Sequence, residues 1–388
     1  LILFGGQRTV FGTTTYFDDT WAWDGNDWTR LNIAGPTARA FAAAVEFGPN
    51  GGVLWGGQDM FSTQLSDTWR FANGSWTQLI GATGPTPRAH PTLGYDAGSD
   101  RVLLVGGERD GTLQADTWEF DGTSWRLLDL VFDLPAQRET SLGYYQTYGL
   151  VAYGGTSEQG LSGEVYLYDD RVGWLPVRDD SRPPGRAFHS SQYFPETDSL
   201  FIMGGTTASD VPSDLWQFHQ GMWQGFPLGS QQPSKRYGHV TAKFAGDKGF
   251  LLFGGHDGSS FLGETWQFVD WSFTNLTSNL SISPSGRVGA VMVRIDEGVL
   301  LFGGRSEFSP AESDTWVFAD YAWSPLGLLG PSARAFAAAA YDPIEHQVVL
   351  FGGEETENGT PLADTWIYAN GAWEQVAAPG PAGRAQRW

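Results

Sequence analysis

The sequence predicts an all-β propeller of eight similar blades, each a four-stranded antiparallel sheet. Three observations lead to this prediction. Eight Gly-Gly pairs recur along the 388 residues at spacings of 48 to 51, and a period near 50 is typical of propeller blades. No sustained apolar stripe with helical periodicity is present. The 52 glycines and 18 tryptophans indicate short strands, tight turns and aromatic packing between sheets.

Each repeat contains the same four strands, which we call a, b, c and d. Strand b is an apolar run that ends at the glycine pair, as in "RVLLVGG". Strand c follows a variable loop. It carries an acidic residue, then a residue that is usually Thr, and then an aromatic residue, as in "DTW". Strand d carries a second Trp and follows turn signals such as "DGT" and "NGS", which are typical of hairpins. A Pro-rich loop then leads to one Arg and to strand a of the next repeat.

Two residues of each repeat define its predicted frame. The second Trp is predicted at Trp28, Trp76, Trp125, Trp174, Trp223, Trp271, Trp323 and Trp373. The repeated Arg is predicted at Arg39, Arg88, Arg138, Arg186, Arg236, Arg287, Arg334 and Arg384. Because complete sets occur along the whole chain, we predict that residues 1–388 form a single propeller domain.

The two ends of the chain are predicted to close the ring. The sequence begins with "LILFGG", which is a strand b, so the first blade has no strand a of its own. The unused strand a begins at Arg384. We therefore expect Arg384–Trp388 to pair beside Leu1–Phe4, which protects two open sheet edges. Since the chain begins without Met, we also expect it to be part of a larger or processed chain or assembly.

Composition excludes several classes of function. The absence of cysteine excludes disulfides and thiolate metal sites. A net charge of −21 makes nucleic acid a poor partner, because phosphate contacts need clustered Lys and Arg. No apolar run is long enough for direct membrane insertion. A Gly-x-Ser-x-Gly nucleophile elbow and an Asp-x-Asp-x-Asp-Gly calcium loop are also absent. We therefore predict no catalytic residue, no metal site and no cofactor.

The repeat resembles the kelch-repeat β-propellers over essentially the whole chain. Besides the glycine pair and the "DTWEFDG"-type strands, "GRAFHSS" at Gly185–Ser191 and "SKRYGHV" at Ser234–Val240 look like the Arg-x-x-His opening of the kelch inner strand. The likeness is strongest to bacterial, exported kelch proteins, which implies an extracytoplasmic location: periplasmic, cell-surface or secreted. Most kelch proteins have six or seven blades, so eight is a departure. The copper site of galactose oxidase, another kelch propeller, needs a cysteine-linked tyrosine and is excluded.

One face of the propeller is the predicted site. Because successive strands are antiparallel, the repeated Arg, the residue after the glycine pair and the acid of strand c meet there. We interpret the Arg and the acid as structural, charge-assisted pairs. The alternative is a pocket for an anion or an acidic peptide, as the arginines of eukaryotic kelch adaptors imply. The candidate binding residues at this loop face and channel mouth are Arg39, Arg88, Arg138, Arg186, Arg236, Arg287, Arg334, Gln7, Gln58, Glu108, His256, Arg305 and Glu354.

These observations favour a non-catalytic binding or scaffolding module that recognises a protein or glycan partner through loops at one face. His256 opens a loop between strands b and c, where a metal site with loop carboxylates is an alternative, but no matching spacing of acids accompanies it. Enzymatic activity stays open, although the sequence favours its absence. The alternative function is an exported carbohydrate-active enzyme, such as a sugar mutarotase-like kelch protein.

Overall fold

The protein is all-β, and the predicted fold class is confirmed: an eight-bladed propeller with four-stranded antiparallel blades. The computed structural model describes residues 1–10, 12–48, 51–80, 84–145, 148–177, 182–226, 232–244, 249–327, 329–356, 359, 361–377 and 380–383. Within these ranges the helical structure is one short 3-10 turn, Thr277–Asn279. No helix of the described residues is long and apolar enough to cross a membrane.

The chain divides into two compact units. Unit 1 comprises Leu1–Ala22 and Arg30–Gly185, and unit 2 comprises Trp23–Thr29 and Arg186–Trp388. The prediction of a single domain over 1–388 stays a prediction.

The first blade has three described strands, in the order b, c, d. The strands of this segment are β1 (Ile2–Phe4), β2 (Gln7–Val10), β3 (Thr13–Tyr16), β4 (Thr20–Trp23) and β5 (Trp28–Leu31), with β2 and β3 forming a separate hairpin between b and c. The predicted closing strand Arg384–Trp388 lies outside the described residues, and so does the repeated Arg384.

Unit 1 also contains three complete blades, each with its strands in the order a, b, c, d. Blade 2 consists of β6 (Ala43–Glu46), β7 (Gly51–Trp55), β8 (Thr68–Ala72) and β9 (Ser75–Leu79). Blade 3 consists of β10 (Thr92–Asp96), β11 (Arg101–Val105), the loop hairpin β12 (Glu108–Arg109) and β13 (Thr112–Leu113), β14 (Thr117–Phe120) and β15 (Trp125–Leu127). Blade 4 consists of β16 (Ser141–Tyr145), β17 (Gly149–Tyr153), the loop hairpin β18 (Thr156–Ser157) and β19 (Gly160–Leu161), β20 (Val165–Asp169) and β21 (Gly173–Pro176).

Unit 2 contains four complete blades with the same order of strands. Blade 5 consists of β22 (Ser190–Phe194), β23 (Ser199–Met203), β24 (Leu215–His219) and β25 (Met222–Gly225). Blade 6 consists of β26 (Val240–Phe244), β27 (Gly249–Phe253), β28 (Thr265–Val269) and β29 (Ser272–Asn275). Blade 7 consists of β31 (Val291–Ile295), β32 (Gly298–Phe302), β34 (Thr315–Ala319) and β35 (Ala322–Leu326), and β30 (Arg287–Val288) pairs with β33 (Arg305–Ser306) beside it. Blade 8 consists of β36 (Ala338–Asp342), β37 (Gln347–Phe351), β38 (Thr365–Ala369) and β39 (Ala372–Gln375).

The hydrophobic core lies between successive blades. In unit 1, Trp55 of blade 2 packs in one cluster with Leu104 and Phe120 of blade 3. In unit 2, Phe302 of blade 7 shares a cluster with Trp373 of blade 8. A single four-stranded sheet cannot bury both of its faces, so each blade depends on its neighbour for stability.

The glycine pair ends strand b in a backbone position that no side chain can occupy. Gly57 has φ +92°, and a Cβ atom there would lie 2.6 Å from the Ala40 carbonyl oxygen. Both the left-handed backbone and the close approach require glycine. The predicted reason for the repeated pair therefore holds.

Blade 6 corrects one predicted Trp. Trp271 does not lie in strand d, where Phe273 takes the position and pairs with Phe268. Trp271 instead occupies the c–d turn at φ +63°, where blades 2, 5 and 8 have glycine and blade 7 has Tyr321, and its ring stacks on Phe226 of blade 5 at 5.4 Å. The turn is two residues later than a strand-d Trp271 would place it, and the aromatic residue there joins two blades.

Candidate functional site

The repeated arginines form a buried layer inside their own blades. In blade 3, Arg88 Nη1 donates to the Gly106 carbonyl oxygen at 3.0 Å, and Nη2 donates to Asp116 Oδ2 at 2.8 Å. In all six pairs of this kind the Arg side chain is at most 1% exposed. The pairs are Arg39–Asp67, Arg88–Asp116, Arg186–Asp214, Arg236–Glu264, Arg287–Asp314 and Arg334–Asp364.

A residue two positions before the Arg provides further acceptors. Together with the acid of strand c and the glycine carbonyl, it forms what we call the cage around the guanidinium group. Thr86 accepts hydrogen bonds from Arg88 through its carbonyl oxygen and its hydroxyl oxygen, both at 3.0 Å. Thr37, Ser234, Ser285 and Ser332 do the same in other blades. Because every side of the guanidinium group meets an acceptor, these arginines are arranged as structural ties between strands a, b and c.

The Asp-Thr-Trp motif also serves this layer. Trp118 Nε1 donates to Asp116 Oδ2 at 2.7 Å, and the Thr117 hydroxyl accepts Nε1–H of Trp174, in the next blade, at 3.0 Å. Burial alone would raise the pKa of Asp116, but the hydrogen bond and charge of Arg88 outweigh it and hold the pKa below 3.8. The acid therefore joins Arg and Trp within a blade, and the Thr joins one blade to the next.

Arg138 does not occupy the repeated position, which corrects the predicted frame of blade 4. Gln137 is there instead: its carbonyl oxygen accepts from the Gly107 amide, as the Arg88 carbonyl accepts from Gly57. Arg138 lies one residue later, with its side chain 36% exposed, and forms an ion pair with Glu108 of blade 3. Of the predicted arginines within the described residues, Arg138 is therefore the one on the surface.

The residues after the glycine pairs lie beside the residues that follow the repeated Arg. Backbone bridges join Gln58 to Ala40 and Glu108 to Ala89 in unit 1, and they join His256 to Tyr237, Arg305 to Val288 and Glu354 to Ala335 in unit 2. Gln7 begins β2 and pairs with Tyr16. The structure thus brings these predicted residues to one edge of each blade. We call this edge the rim. It consists of the residue after each glycine pair and the two residues after each repeated Arg position.

The second residue after each repeated Arg has a left-handed backbone. Glycine takes this position in two blades, at Gly238 and Gly289. In the other blades where this residue is described, it is Phe41, His90, Glu139, Phe188 or Phe336, with φ between 54° and 59°. Bulky residues are rare in this region of backbone space and cost about 1–3 kcal/mol each.

These left-handed residues bond from blade to blade. In unit 2, Gly238 N–H donates to the Phe188 carbonyl, Gly289 to the Gly238 carbonyl and Phe336 to the Gly289 carbonyl, at 2.7 to 3.3 Å. In unit 1, His90 N–H donates to the Phe41 carbonyl at 3.0 Å. Backbone hydrogen bonds therefore join the rim along blades 5 to 8 of unit 2 and between blades 2 and 3 of unit 1.

Side chains of the rim form a mixed aromatic and charged surface in unit 2. Arg305 lies over the Phe336 ring at 5.5 Å and is 3.3 Å from a Glu354 oxygen. The rings of Tyr237 and His256 are 5.4 Å apart. Phe188 and Phe336 are each about half exposed, at 52% and 51%.

The rim of unit 1 is more polar. The rings of Phe41 and His90 stack at 4.3 Å, and His90 Nδ1 lies 3.2 Å from a Glu139 oxygen. Burial lowers the pKa of His90, against the attraction of Glu139. Arg138 and Glu108 continue this row of charges.

His256 has no carboxylate cluster around it. Its Nδ1 accepts a hydrogen bond from the Gly258 amide at 3.0 Å, and its ring meets Phe261 edge-on. Across the described ranges of the chain, no three His, Asp or Glu side chains are placed to hold a metal ion. The metal alternative therefore gains no support.

Sequence reasoning missed two features of this site. The left-handed position was not predicted, although "RAF", "RYG" and "RVG" show glycine and Phe alternating there. The identity of Gln137 was missed because Pro-x-x-Arg spacing favours Arg138. The signal was the strand that follows: "TLGYD" from Thr92 and "SLGYY" from Ser141 align Gln137 with Arg88.

Comparisons with known proteins match parts of the chain. A family model described as the KLHDC2/KLHL20/DRC7 Kelch-repeats domain matches residues 171–324. "Adagio-like protein 3" of Oryza sativa subsp. japonica is 30% identical over 174 residues, which cover 40% of this chain and 27% of that protein. "Tip elongation aberrant protein 1" of Schizosaccharomyces pombe is 31% identical over 144 residues, which cover 34% of this chain and 12% of that protein. The matches thus span about a quarter and an eighth of those relatives.

Among solved structures, the one titled "Structure of YjhT" has a TM-score of 0.44 and 14% sequence identity, covering 76% of this chain and 98% of that chain. Residues 171–324 thus match a kelch-repeat family model, and the eight repeats of the chain form the four-stranded blades of a β-propeller.

Proposed function

We propose that the chain is a non-catalytic recognition module that binds a protein partner at its rim. The observation that carries this proposal is the pair of phenylalanines, Phe188 and Phe336, in left-handed backbone with half-exposed rings. Gly238 and Gly289 at the same position show that the fold also accepts a residue without strain. Strain retained at a surface supports a functional role for the side chain.

The chemistry beside these rings suits a protein surface. Tyr237, His256 and Arg305 lie next to them, and aromatic residues with Arg are enriched in the parts of interfaces that contribute most to affinity. The net charge of −21 favours a partner of opposite charge, because complementary potentials speed the encounter and suppress wrong partners.

The kelch family supports a protein partner, since kelch propellers typically bind proteins. A glycan stacking on the same rings is the alternative ligand. The arginines that a negatively charged ligand would need are held by carboxylates in six blades, so they do not favour the anion-pocket interpretation. We also propose that the chain lies outside the cytoplasm. This location is supported only by the resemblance of the repeat to exported kelch proteins.

The test compares two left-handed aromatic positions. We expect the double variant Phe188→Gly/Phe336→Gly to lose at least tenfold in partner affinity while keeping its β-sheet spectrum. Tyr321→Gly, which changes a left-handed aromatic residue in a c–d turn, is the matched control and should keep the affinity. A pull-down from the native source and a glycan array with these proteins measure both ligand classes.

Equal binding by the wild type and the rim variant would contradict the proposal. Glycan binding that the rim variant loses, without any protein partner, would assign the rim to sugars instead. Turnover of a bound sugar would favour the carbohydrate-active enzyme.

A further inference from the structure

Blade 4 contains a cage for a guanidinium group without the arginine that occupies it elsewhere. In blade 3 the cage is made by the Asp116 carboxylate, the Gly106 carbonyl and Thr86. The counterparts in blade 4 are Glu164, the Gly154 carbonyl and Pro135. Gln137 takes the place of the Arg, and its amide is shorter than a guanidinium side chain and uncharged.

A cleft of about 580 Å³ opens at this position. Gln137, Glu164, Tyr166 and Arg182 line it, together with Ser157 and Ser162. All of these residues belong to unit 1. The blade has therefore not collapsed around the shorter side chain, and the space is open to solvent.

Gln137, at the position of the Arg, is only 2% exposed and lines the cleft. Its uncharged amide cannot neutralise the Glu164 carboxylate as Arg88 neutralises Asp116 in blade 3. The cleft therefore keeps the acid of the cage but receives no guanidinium group from strand a.

Glu164 is the charged group of the cage, and a neighbouring loop partly neutralises it. Arg182 donates to Glu164 Oε1 at 2.5 Å, but its side chain is 42% exposed, whereas the cage arginines of other blades are at most 1% exposed. An exposed ion pair of this kind contributes little to stability and is easily exchanged. Arg182 therefore competes for the cage from its edge and does not fill it.

We propose that this cleft binds an arginine side chain supplied by a partner protein. The same molecule shows the complex six times over: a guanidinium between a strand-c carboxylate and a glycine carbonyl, at 2.5 to 3.0 Å. Planar guanidinium groups match such a set of acceptors bidentately, whereas an ammonium group does not. The cleft is separate from the rim, and this inference does not depend on the rim being a binding surface.

Calorimetric titration of the full chain tests the inference with three peptides: Gly-Arg-Gly, Gly-Lys-Gly and Gly-citrulline-Gly. The arginine peptide should bind saturably, and the lysine and citrulline peptides at least tenfold more weakly. Arg182→Ala removes the competitor and should tighten arginine binding about threefold to tenfold. Glu164→Gln should weaken it at least tenfold.

Gln137→Arg is the decisive variant, because it supplies the missing guanidinium within the chain. It should abolish peptide binding and leave the melting temperature equal or higher. Arg88→Gln in blade 3 is the matched reverse change and should create a weak arginine site. Phe336→Gly, at the rim, should leave peptide binding unchanged, so failure here and failure of the rim proposal are distinguishable.

Two results would overturn the inference. One is an absence of arginine binding by both the wild type and Arg182→Ala. The other is undiminished binding by Gln137→Arg or Glu164→Gln.

Discussion

Blades 3 and 4 have the same strand order, yet they join strand a to strand c by different means. In blade 3, the buried Arg88 reaches Asp116 and the Gly106 carbonyl. In blade 4, the buried Gln137 takes the place of the Arg, and Arg182 from the following loop pairs with Glu164. The arginine tie is therefore a separable part of the repeat: the sheet of blade 4 forms without it, and a cleft lies where the Arg would be.

Two further residues differ between these blades together with the Arg. Trp118, whose indole donates to Asp116, is replaced in blade 4 by Tyr166, and Thr117 is replaced by Val165. In blade 4 the Arg, the indole donor to the acid and the hydroxyl acceptor for the next blade are therefore replaced together. Blade 5 shows that the hydroxyl also varies alone, because it keeps Arg186 and Trp216 but has Leu215 in place of the Thr.

The largest expected effect is a difference in the free energy of unfolding between variants of Arg88 and Arg138, which the sequence places at the same position of the repeat. Arg88→Ala should lower the free energy of unfolding by about 3 kcal/mol, because it leaves a partly buried carboxylate and a buried carbonyl without their donor. Arg138→Ala, which removes a half-exposed ion pair, should lower it by less than about 1 kcal/mol. Urea unfolding of both variants measures the difference, and equal losses would contradict the assigned frame of blade 4.

The hydroxyl of Thr117 provides the next test. Thr117→Val copies the residue of blade 4 into blade 3 and leaves the buried Trp174 indole without its acceptor. We expect a loss of about 1–2 kcal/mol in the free energy of unfolding. Thr112→Val, an exposed loop hydroxyl of the same blade, is the control and should be near neutral. A neutral Thr117→Val would mean that the bond between blades contributes nothing net.

Acid should weaken the blade 3 tie. The pKa of Asp116 is held below its unfolded value of 3.8, so the unfolded chain takes up the proton first. Its contribution to stability is thus fully present above about pH 4–5 and is lost as the pH falls through the folded pKa. Unfolding midpoints between pH 5 and pH 2.5 should fall less steeply for Asp116→Asn than for the wild type, and parallel curves would contradict this.

Buried histidine adds a smaller pH dependence at a different place, in blade 6. Burial lowers the pKa of His239 to about 3, and its Nε2 lies 2.7 Å from the Ser190 hydroxyl. Because the folded protein binds this proton less readily than the unfolded chain does, stability should fall as the pH drops from about 6.5 towards 3. His239→Gln should flatten the unfolding curve between pH 6.5 and 5, and a curve as steep as that of the wild type would contradict this.

The fold was predictable because its signals repeat. Gly-Gly, Asp-Thr-Trp and the repeated Arg each recur at matching spacings, and six Arg–acid pairs form as interpreted. Prediction was wrong where one repeat departs from the others. Pro-x-x-Arg spacing suggested Arg138, but Leu134, buried at 1% exposure, takes the place of the proline and shifts the frame by one residue.

The rim was predictable only in part. The residues after the glycine pairs were placed correctly at one edge of each blade, because strand alternation determines that edge. Left-handed backbone at Phe188 and Phe336 was not predictable, since Phe has no intrinsic preference for it and the surrounding bonds between blades impose it. The cage without an arginine in blade 4 was not predicted from the sequence, because it arises where Gln137 replaces the repeated Arg.

The most direct test of the central claim is a pair of double-mutant cycles on thermodynamic stability. One cycle uses Arg88→Ala and Asp116→Ala, and the other uses Arg138→Ala and Glu164→Ala, the pair that the sequence spacing would join. We expect a coupling energy of about 2 kcal/mol in blade 3 and less than about 0.5 kcal/mol in blade 4. Equal coupling in the two blades, or a larger value in blade 4, would contradict it.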